Sequence, residues 1–237
     1  KADFMAMLVH DLRSPLAGIK DVIEFIRELE QAKGQLTADH FTLLTASQES
    51  AERMLQLINN LLDISKFEAG KISLHKESVL LLPLIDRVMK QMEFQFRQKN
   101  VSMKFEAGPD VPNVNADAGK MGQVIANLLS NSLKFTGNGG SVIVKVEKAM
   151  ETDGSANGKR VVAAVTVKDT GMGISPEELP AIFQRYKQAS SAKRVRQRGT
   201  GLGLSICKLI VEAHGGKINA ESEVGKFTSI RFTLPVS

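Results

Sequence analysis

Residues 123–136, QVIANLLSNSLKFT, combine an apolar and a polar face at helical spacing. Asn127, Asn131 and Lys134 recur at intervals of four and three residues, which places them on one side of a helix. Side-chain amides can hold hydrated Mg²⁺ and phosphate oxygens, and a lysine adds positive charge. The segment therefore predicts a phosphate-binding helix, although the polar outer face of an ordinary amphipathic helix explains the same spacing equally well.

The segments around this helix alternate between strand and helix patterns. Strands are predicted at 72–74, 101–106, 141–147, 161–169, 217–221 and 227–234, and helices at 80–98, 119–135 and 202–214. The turn-rich stretch 151–159 is predicted to be an exposed hairpin loop. This order predicts an α+β sandwich with helices on one face of a mixed sheet.

Two glycine-rich segments add to the phosphate-binding pattern. In 167–174, VKDTGMGI, a strand ends at Asp169, whose carboxylate can accept a hydrogen bond from the exocyclic amine of adenine. Gly171 and Gly173 would let the backbone approach the base, although an ordinary turn has the same composition. In 198–205, RGTGLGLS, glycines precede a helix, where free backbone N–H groups bind phosphate.

The polar, basic stretch at residues 185–198 allows two interpretations. It is either a solvated loop or a mobile lid whose cations, Lys187 among them, meet the phosphates of a nucleotide.

The first seventy residues follow a different pattern. Apolar residues recur at three- and four-residue spacing in two stripes, separated by Gly34 and the predicted N-cap Thr37. Two helices joined by a short turn form an antiparallel hairpin, which buries only one side of each helix. Self-association into a dimeric four-helix bundle is the simplest way to cover the rest. We therefore expect two domains, 1–70 and 71–237, with a boundary and hinge within 71–77.

The segment HDLRSPL, residues 10–16, lies in the middle of the first stripe, and His10 and Asp11 fall towards the outside of the predicted helix. Pro15 deprives the carbonyl of Asp11 of its backbone partner and kinks the predicted helix just past His10. A nucleophilic histidine needs an unprotonated ring nitrogen and benefits from a carboxylate that orients the ring, which Asp11 can supply. A plain surface histidine is the competing interpretation. It is the one we adopt for the other three histidines, His40, His75 and His214, and His214 is also expected to contact carbonyls in the last turn of a helix.

Composition narrows the function classes. The net charge of +5 favours anionic partners such as nucleotides only weakly, and it does not predict a nucleic-acid binder. The sequence contains neither a signal peptide nor an apolar run of the roughly 20 residues that cross a bilayer. Cys207 is the single cysteine, which excludes an internal disulfide and fits the cytoplasm. Because the sequence opens at Lys1 in a helical pattern, we expect a longer parent protein, whose other parts can include a membrane segment.

In this order and spacing, five segments resemble the catalytic core of the sensor histidine kinases of two-component systems. HDLRSPL is similar to the H box, NLLSNSLKFT to the N box, DTGMGI to the G1 box, IFQRYKQ to the F box and GTGLGLS to the G2 box. The resemblance covers essentially the whole chain. It implies a helical dimerisation and phosphotransfer domain followed by an ATP-binding α/β sandwich of the Bergerat type.

The resemblance also implies a reaction and its participants. The chain would use ATP and Mg²⁺ to phosphorylate His10, act as a homodimer through its two N-terminal helices, and pass the phosphoryl group to an aspartate of a response-regulator receiver domain. The residues to which it assigns roles are His10 as phosphoacceptor, Asp11 as its neighbouring acid, Asn127 as Mg²⁺ ligand, Asn131 and Lys134 at the phosphates, Phe135 beside the nucleotide, Asp169 at the adenine amine with Gly171 and Gly173 around it, Lys187, Gly199, Gly201, Leu202 and Gly203 at the lid and phosphates, and Thr228 in support of the adenine site. Ser14 stands where the family often has Thr or Asn. The resemblance implies that the residue at this position helps to dephosphorylate the regulator. With Ser14 there, the resemblance does not decide whether this chain has phosphatase activity.

Two other functions compete with this interpretation. The first is ATP hydrolysis, as in the related ATPases of chaperones and mismatch-repair proteins. Those enzymes carry a glutamate base near the position of Asn127. An asparagine cannot abstract the proton of the attacking water, so rapid hydrolysis is disfavoured. A non-catalytic scaffold that only dimerises is the other alternative, and the intact boxes argue against it.

Overall fold

The computed structural model describes residues 16–26, 38–68, 73–152, 158–185, 187 and 201–236. The chain divides into two compact units, Lys1–Lys71 and Ile72–Ser237. Four residues of the predicted sites lie outside the described residues, namely His10, Asp11, Ser14 and Gly199.

The described part of the N-terminal unit consists of two helices. Helix α1 covers residues 16–26 and helix α2 covers Ala38–Glu68. The ring centroids of Phe25 and His40 lie 4.7 Å apart, and a Cβ added at Gly18 would lie 3.9 Å from Ser50 Oγ. Because the later residue of α1 meets the earlier residue of α2, the two helices run antiparallel, as the hairpin prediction requires.

The apolar stripes of this hairpin are only partly covered. Val22 and Ile64 are buried. The large apolar side chains that are exposed within the described residues of the two helices are Leu16, Ile23, Ile26, Leu43, Leu55, Ile58 and Leu62. An apolar surface of this kind on a helix pair is typical of an interaction face.

The described residues of the C-terminal unit form seven strands, three α-helices and one 3₁₀ turn. In chain order these are β1 (Glu77–Val79), α3 (Leu81–Gln98), β2 (Ser102–Ala107), β3 (Val114–Ala116), α4 (Ala118–Phe135), β4 (Ser141–Thr152), β5 (Lys159–Asp169), the 3₁₀ turn (Leu179–Ala181), α5 (Gly203–Ala213), β6 (Ile218–Glu223) and β7 (Phe227–Pro235). Five strands form the main sheet in the order β2-β4-β5-β7-β6, and β1 pairs with β3. Among the strands of the described residues β2 and β4 pair in parallel and the other pairs are antiparallel, so the main sheet is mixed, as predicted.

The two faces of the main sheet differ in polarity. On the inner face, under the helices, valines such as Val142, Val144 and Val146 of β4 are fully buried. On the outer face, residues that alternate with these valines form ion pairs between strands. For example, Arg231 Nη1 of β7 lies 3.1 Å from Glu147 Oε1 of β4. A largely antiparallel sheet can face water on one side, which explains the alternating pattern in the sequence.

The predicted elements differ from the observed ones in several places. The strand predicted at 72–74 is wrong, because Ser73 and Leu74 belong to no strand and pairing begins at Glu77. The paired strands β1 and β3 and the 3₁₀ turn were not predicted, since segments of three residues have no recognisable period. The loop predicted at 151–159 is shorter than expected, because the ladder continues to the pair Thr152 and Lys159.

His214 joins the end of α5 to the start of α4. Its Nδ1 lies 2.8 Å from the carbonyl oxygen of Ile210, and its Nε2 accepts the backbone N–H of Asp117 at 3.0 Å. The ring is therefore neutral, with its proton on Nδ1. Burial lowers the pKa of His214 below its ordinary value of 6.5. The expected contact with carbonyls at the helix end is confirmed. The prediction of a surface histidine is wrong for His214, because the residue is only 2% exposed and joins two helices.

This burial predicts a pH-dependent stability. Because the pKa of His214 is lower in the folded chain than in the unfolded chain, the unfolded chain takes up a proton first as the pH falls below about 6.5. The free energy of unfolding, measured with urea, should be higher at pH 8 than at pH 5.5. His214→Gln should reduce this difference and the exposed control His75→Gln should not, while His214→Ala should cost about 1–3 kcal/mol by leaving the Asp117 N–H without its acceptor. An equal pH dependence in wild type and His214→Gln would contradict this role.

Candidate nucleotide site

Helix α4 is the scaffold of the candidate site. Asp117 caps its start by accepting the Lys120 N–H at 3.0 Å through Oδ1. The apolar residues of the helix, among them Val124 and Leu128, are buried. The amide and amine side chains of the predicted N box follow on the neighbouring face.

Asp169 ends β5 beneath this helix and is only 5% exposed. Its Oδ2 accepts the Ser132 hydroxyl at 2.9 Å, and its Oδ1 accepts the Gly171 N–H at 2.9 Å. Thr228 of β7 lies directly opposite in the ladder. Burial raises the pKa of Asp169, whereas hydrogen bonds from Ser132, Gly171 and the Thr228 backbone lower it. The result is a buried, oriented hydrogen-bond acceptor.

The loop that follows Asp169 requires glycine at two positions. A Cβ at Gly171 would lie 2.8 Å from the Phe135 carbonyl oxygen, and a Cβ at Gly173 would lie 2.2 Å from that of Glu223. Gly173 also has a φ of +69°, which side chains other than glycine rarely adopt. The loop is thus held between the end of α4 and the β6–β7 turn.

The start of α5 lies beside the N box. A Cβ at Gly203 would be 3.8 Å from Asn131 Nδ2, and Leu202, just before the helix, is 1% exposed. Gly201 has a φ of +70°. The described part of the G2 box therefore brings the first backbone N–H groups of α5 next to Asn131, a combination suited to an anion.

Asn127 contains a buried donor with only a weak partner in the fold. The residue is 8% exposed, and its Nδ2 has no nitrogen or oxygen acceptor among the described residues, although it lies near enough to the Cys207 sulfur to interact with it. Sulfur is a weak acceptor, so an oxygen of a ligand would be a better partner. A phosphate oxygen would satisfy Nδ2, and Oδ1 is the kind of oxygen that Mg²⁺ binds. The described residues hold no cluster of three His, Cys, Asp or Glu side chains, so a metal here would depend on this amide and on ligand oxygens.

Cys207 lies against the same turn of α4. Its sulfur is 3.8 Å from the Val124 carbonyl oxygen, and burial raises the pKa of the Cys207 thiol to about 12. The thiol is therefore protonated at neutral pH and is not a nucleophile.

Lys134 and Phe135 complete the far end of the helix. Lys134 Nζ lies 5.1 Å from the centroid of the Phe135 ring, and burial lowers the pKa of Lys134. Lys99, which sequence reasoning missed, donates to the carbonyls of Leu133 and Lys134 at 2.6 and 2.9 Å. These bonds cap the helix end with positive charge.

Most of the predicted nucleotide residues surround one helix. The residues that lie on α4 or on the elements next to it are Asn127, Asn131, Lys134, Phe135, Asp169, Gly171, Gly173, Gly201, Leu202, Gly203 and Thr228. Lys187 is exposed, and no hydrogen bond or ion pair among the described residues joins it to this group.

Ser132 is a site residue that sequence reasoning missed. It is 5% exposed and binds Asp169, yet the patterns of the N box single out its neighbours. A signal existed, because Ser132 occupies a position in the buried stripe, four residues after Leu128. A hydroxyl in an apolar stripe needs a partner inside the protein.

Comparison with known proteins identifies both units. Residues 1–70 match the His Kinase A (phospho-acceptor) domain, and residues 116–237 match the histidine kinase-, DNA gyrase B-, and HSP90-like ATPase family. Drug sensory protein A of Synechocystis is 34% identical over 236 residues, which is 100% of this chain and 35% of that protein. The histidine protein kinase DivJ of Caulobacter vibrioides is also 34% identical, over 100% of this chain and 37% of its own length.

A solved structure agrees with these relatives. Full-length ShkA in complex with AMPPNP superposes with a TM-score of 0.68 at 28% identity, covering 98% of this chain and 45% of ShkA. The chain thus spans little more than a third of the curated relatives cited above. The ATPase match covers half of the chain and follows a phosphoacceptor-domain match at residues 1–70, so the chain belongs to the sensor histidine kinases and comprises the catalytic core of that family.

Proposed function

We propose that this chain transfers the γ-phosphoryl group of ATP to His10 and then passes it to an aspartate of a response-regulator receiver domain. The observation that carries the proposal is the group of polar side chains beside α4. There the buried carboxylate of Asp169, at the end of β5, has no charged partner among the described residues, and the buried amide nitrogen of Asn127, on α4, has no nitrogen or oxygen acceptor among them. The AMPPNP complex of the related ShkA supports a nucleotide at this site.

Four groups beside α4 have a task in this proposal. Asp169 accepts a hydrogen bond from the adenine amine, while Asn131 and the first N–H groups of α5 bind phosphate oxygens. Asn127 holds Mg²⁺ through its side-chain oxygen. ATP supplies the phosphoryl group, and bound Mg²⁺ would neutralise part of the negative charge of the phosphates. Positioning and charge neutralisation by these residues account for most of the catalysis in phosphoryl transfer.

His10 is the acceptor in this reaction. Its unprotonated ring nitrogen forms the new N–P bond as the bond between the γ-phosphorus and the bridging oxygen breaks and ADP leaves. Asp11 orients the ring and accepts the proton of the other ring nitrogen. An asparagine at position 127 cannot activate water as a base, which favours transfer to His10 over rapid hydrolysis.

We further propose that the N-terminal hairpin, residues 1–70, forms a homodimer. The exposed leucines and isoleucines of α1 and α2, such as Ile23 and Leu55, supply the apolar surface that a second copy would cover. Residues 71–237 then act as the catalytic ATP-binding domain. The division of the chain into two compact units, Lys1–Lys71 and Ile72–Ser237, supports this assignment.

We assign this core to the cytoplasm, where ATP and receiver domains occur together. No helix among the described residues is both long enough and apolar enough to span a bilayer.

Incubation with γ-labelled ATP and Mg²⁺ tests the central proposal. We expect covalent label that is lost in acid and kept in base, as for a phosphohistidine, and peptide mapping should place it at His10. Acid-stable label would indicate a hydroxyl acceptor instead. Release of inorganic phosphate without labelled protein would indicate an ATPase, and ATP binding with neither product would indicate a scaffold.

A further inference from the structure

Three polar side chains form a row across the main sheet at the proposed adenine site. Asp169 of β5 pairs with Thr228 of β7, which pairs in turn with Ser222 of β6. Directly paired residues place their side chains on the same face of a sheet, about 4.5–5.5 Å apart at Cβ. Ser222 is therefore linked to Asp169 through Thr228.

The hydroxyl of Ser222 has three neighbours within hydrogen-bond distance. It accepts the Ile174 N–H at 2.9 Å, and its oxygen lies 2.7 Å from the Phe227 carbonyl oxygen and 3.0 Å from Thr228 Oγ1. A serine hydroxyl has one proton to donate and two lone pairs to accept with. Three neighbours therefore use its full capacity.

Counting protons assigns the direction of each bond. A carbonyl oxygen can only accept, so the single proton of Ser222 points to Phe227. The two lone pairs of Ser222 then accept from the Ile174 N–H and from the hydroxyl of Thr228. Thr228 has thereby used its only proton, and its own lone pairs are left for other groups.

We infer that Ser222 is a specificity-determining residue, because it makes Thr228 a hydrogen-bond acceptor beside the acceptor Asp169. Two adjacent acceptors favour a base that presents an amine at its 6-position, as adenine does. They disfavour a base with a carbonyl there, since that oxygen would need a donor. Ser222 acts through Thr228 and is a positioning residue. The inference rests on the proposed ATP site.

Nucleotide selectivity tests this inference. Dissociation constants for ATP and for inosine triphosphate, which carries a 6-carbonyl in place of the amine, should be measured for wild type and Ser222→Ala. Without Ser222 the Thr228 proton is free to donate, so the preference for ATP should fall by about three- to tenfold, the value of one hydrogen bond. Ser222→Thr keeps the hydroxyl and should keep the preference.

Two further variants separate positioning from a general loosening of the loop at Ile174. In a Thr228→Val background, Ser222→Ala should leave the ATP preference unchanged, because no hydroxyl is left to orient. Ser229→Ala, on the opposite face of β7, should behave as wild type. Equal weakening of both nucleotides by Ser222→Ala would overturn the inference and leave the proposed function intact. Failure of the wild-type chain to bind ATP would overturn both.

Discussion

His10→Ala should abolish the acid-labile label completely while ATP binding is retained. The substitution removes the nucleophilic nitrogen, and we assign the contacts with ATP to residues of the C-terminal unit. Labelling with γ-labelled ATP measures the first effect, and titration with a fluorescent ATP analogue measures the second. The family match that includes His10 covers residues 1–70.

The matched control is His40→Ala in the same hairpin, whose ring packs against Phe25. It should be labelled as wild type is. Label that persists in His10→Ala would show that another side chain is the acceptor. Loss of label together with loss of ATP binding would show that the substitution acts on the pocket instead.

Asp169→Asn should weaken ATP binding by about 10- to 100-fold, the value of a hydrogen bond to a charged group. The amide fits the space, because its oxygen can still accept the Gly171 N–H and its nitrogen can donate to Ser132. The loss therefore reports the missing negative charge and acceptor at the adenine amine. Isothermal titration calorimetry with ATP measures it.

The same substitution should leave stability unchanged or raise it. Burial raises the pKa of Asp169 above its ordinary value of 3.8, so the folded chain binds a proton more tightly than the unfolded chain. The contribution of Asp169 to stability therefore declines as the pH rises through these pKa values, and at pH 7 the buried carboxylate costs free energy. Unfolding in urea at pH 7 measures this effect. A parallel loss of stability and of ATP affinity would mean that Asp169 has a structural role.

Glu223→Gln is the control for this experiment. Glu223 is an acid at the end of β6, near the loop of Gly173, and it pairs with Lys226 on the surface. Removing its charge should change neither ATP affinity nor stability measurably, because exposed ion pairs contribute little. An equal loss of affinity in Glu223→Gln would show that the general negative charge of this region matters, and not the position of Asp169.

The longer elements were predictable because their signals are local. The apolar stripe of α4 repeats along the chain, so its predicted start at 119 differs from the observed start by one residue. The end of β5 at Asp169 was predicted from the glycines that follow it. The strand β3 was not predicted, since its three residues are held by pairing with β1 and not by any pattern of their own.

The side chains proposed to bind the nucleotide could be predicted from the sequence, but the residues that hold those side chains in place could not. Asn127, Asn131 and Asp169 are polar groups in repeating or glycine-flanked positions, and that pattern can be recognised in the sequence. Ser132 and Ser222 were missed, because each acquires its importance from a partner on another element. Ser132 and Asp169 are separated by 37 residues.

The sequence by itself determined the class of this protein, since helical repeats, glycine positions and the order of the polar motifs are properties of the chain read in one direction. Only the tertiary structure decided which polar groups meet. The strand order β2-β4-β5-β7-β6 brings Asp169, Thr228 and Ser222 into one row although Asp169 and Ser222 are far apart in the chain. Hydrogen-bond direction depends on all neighbours of a hydroxyl at once, so the acceptor role of Thr228 follows from that packing and from no local pattern.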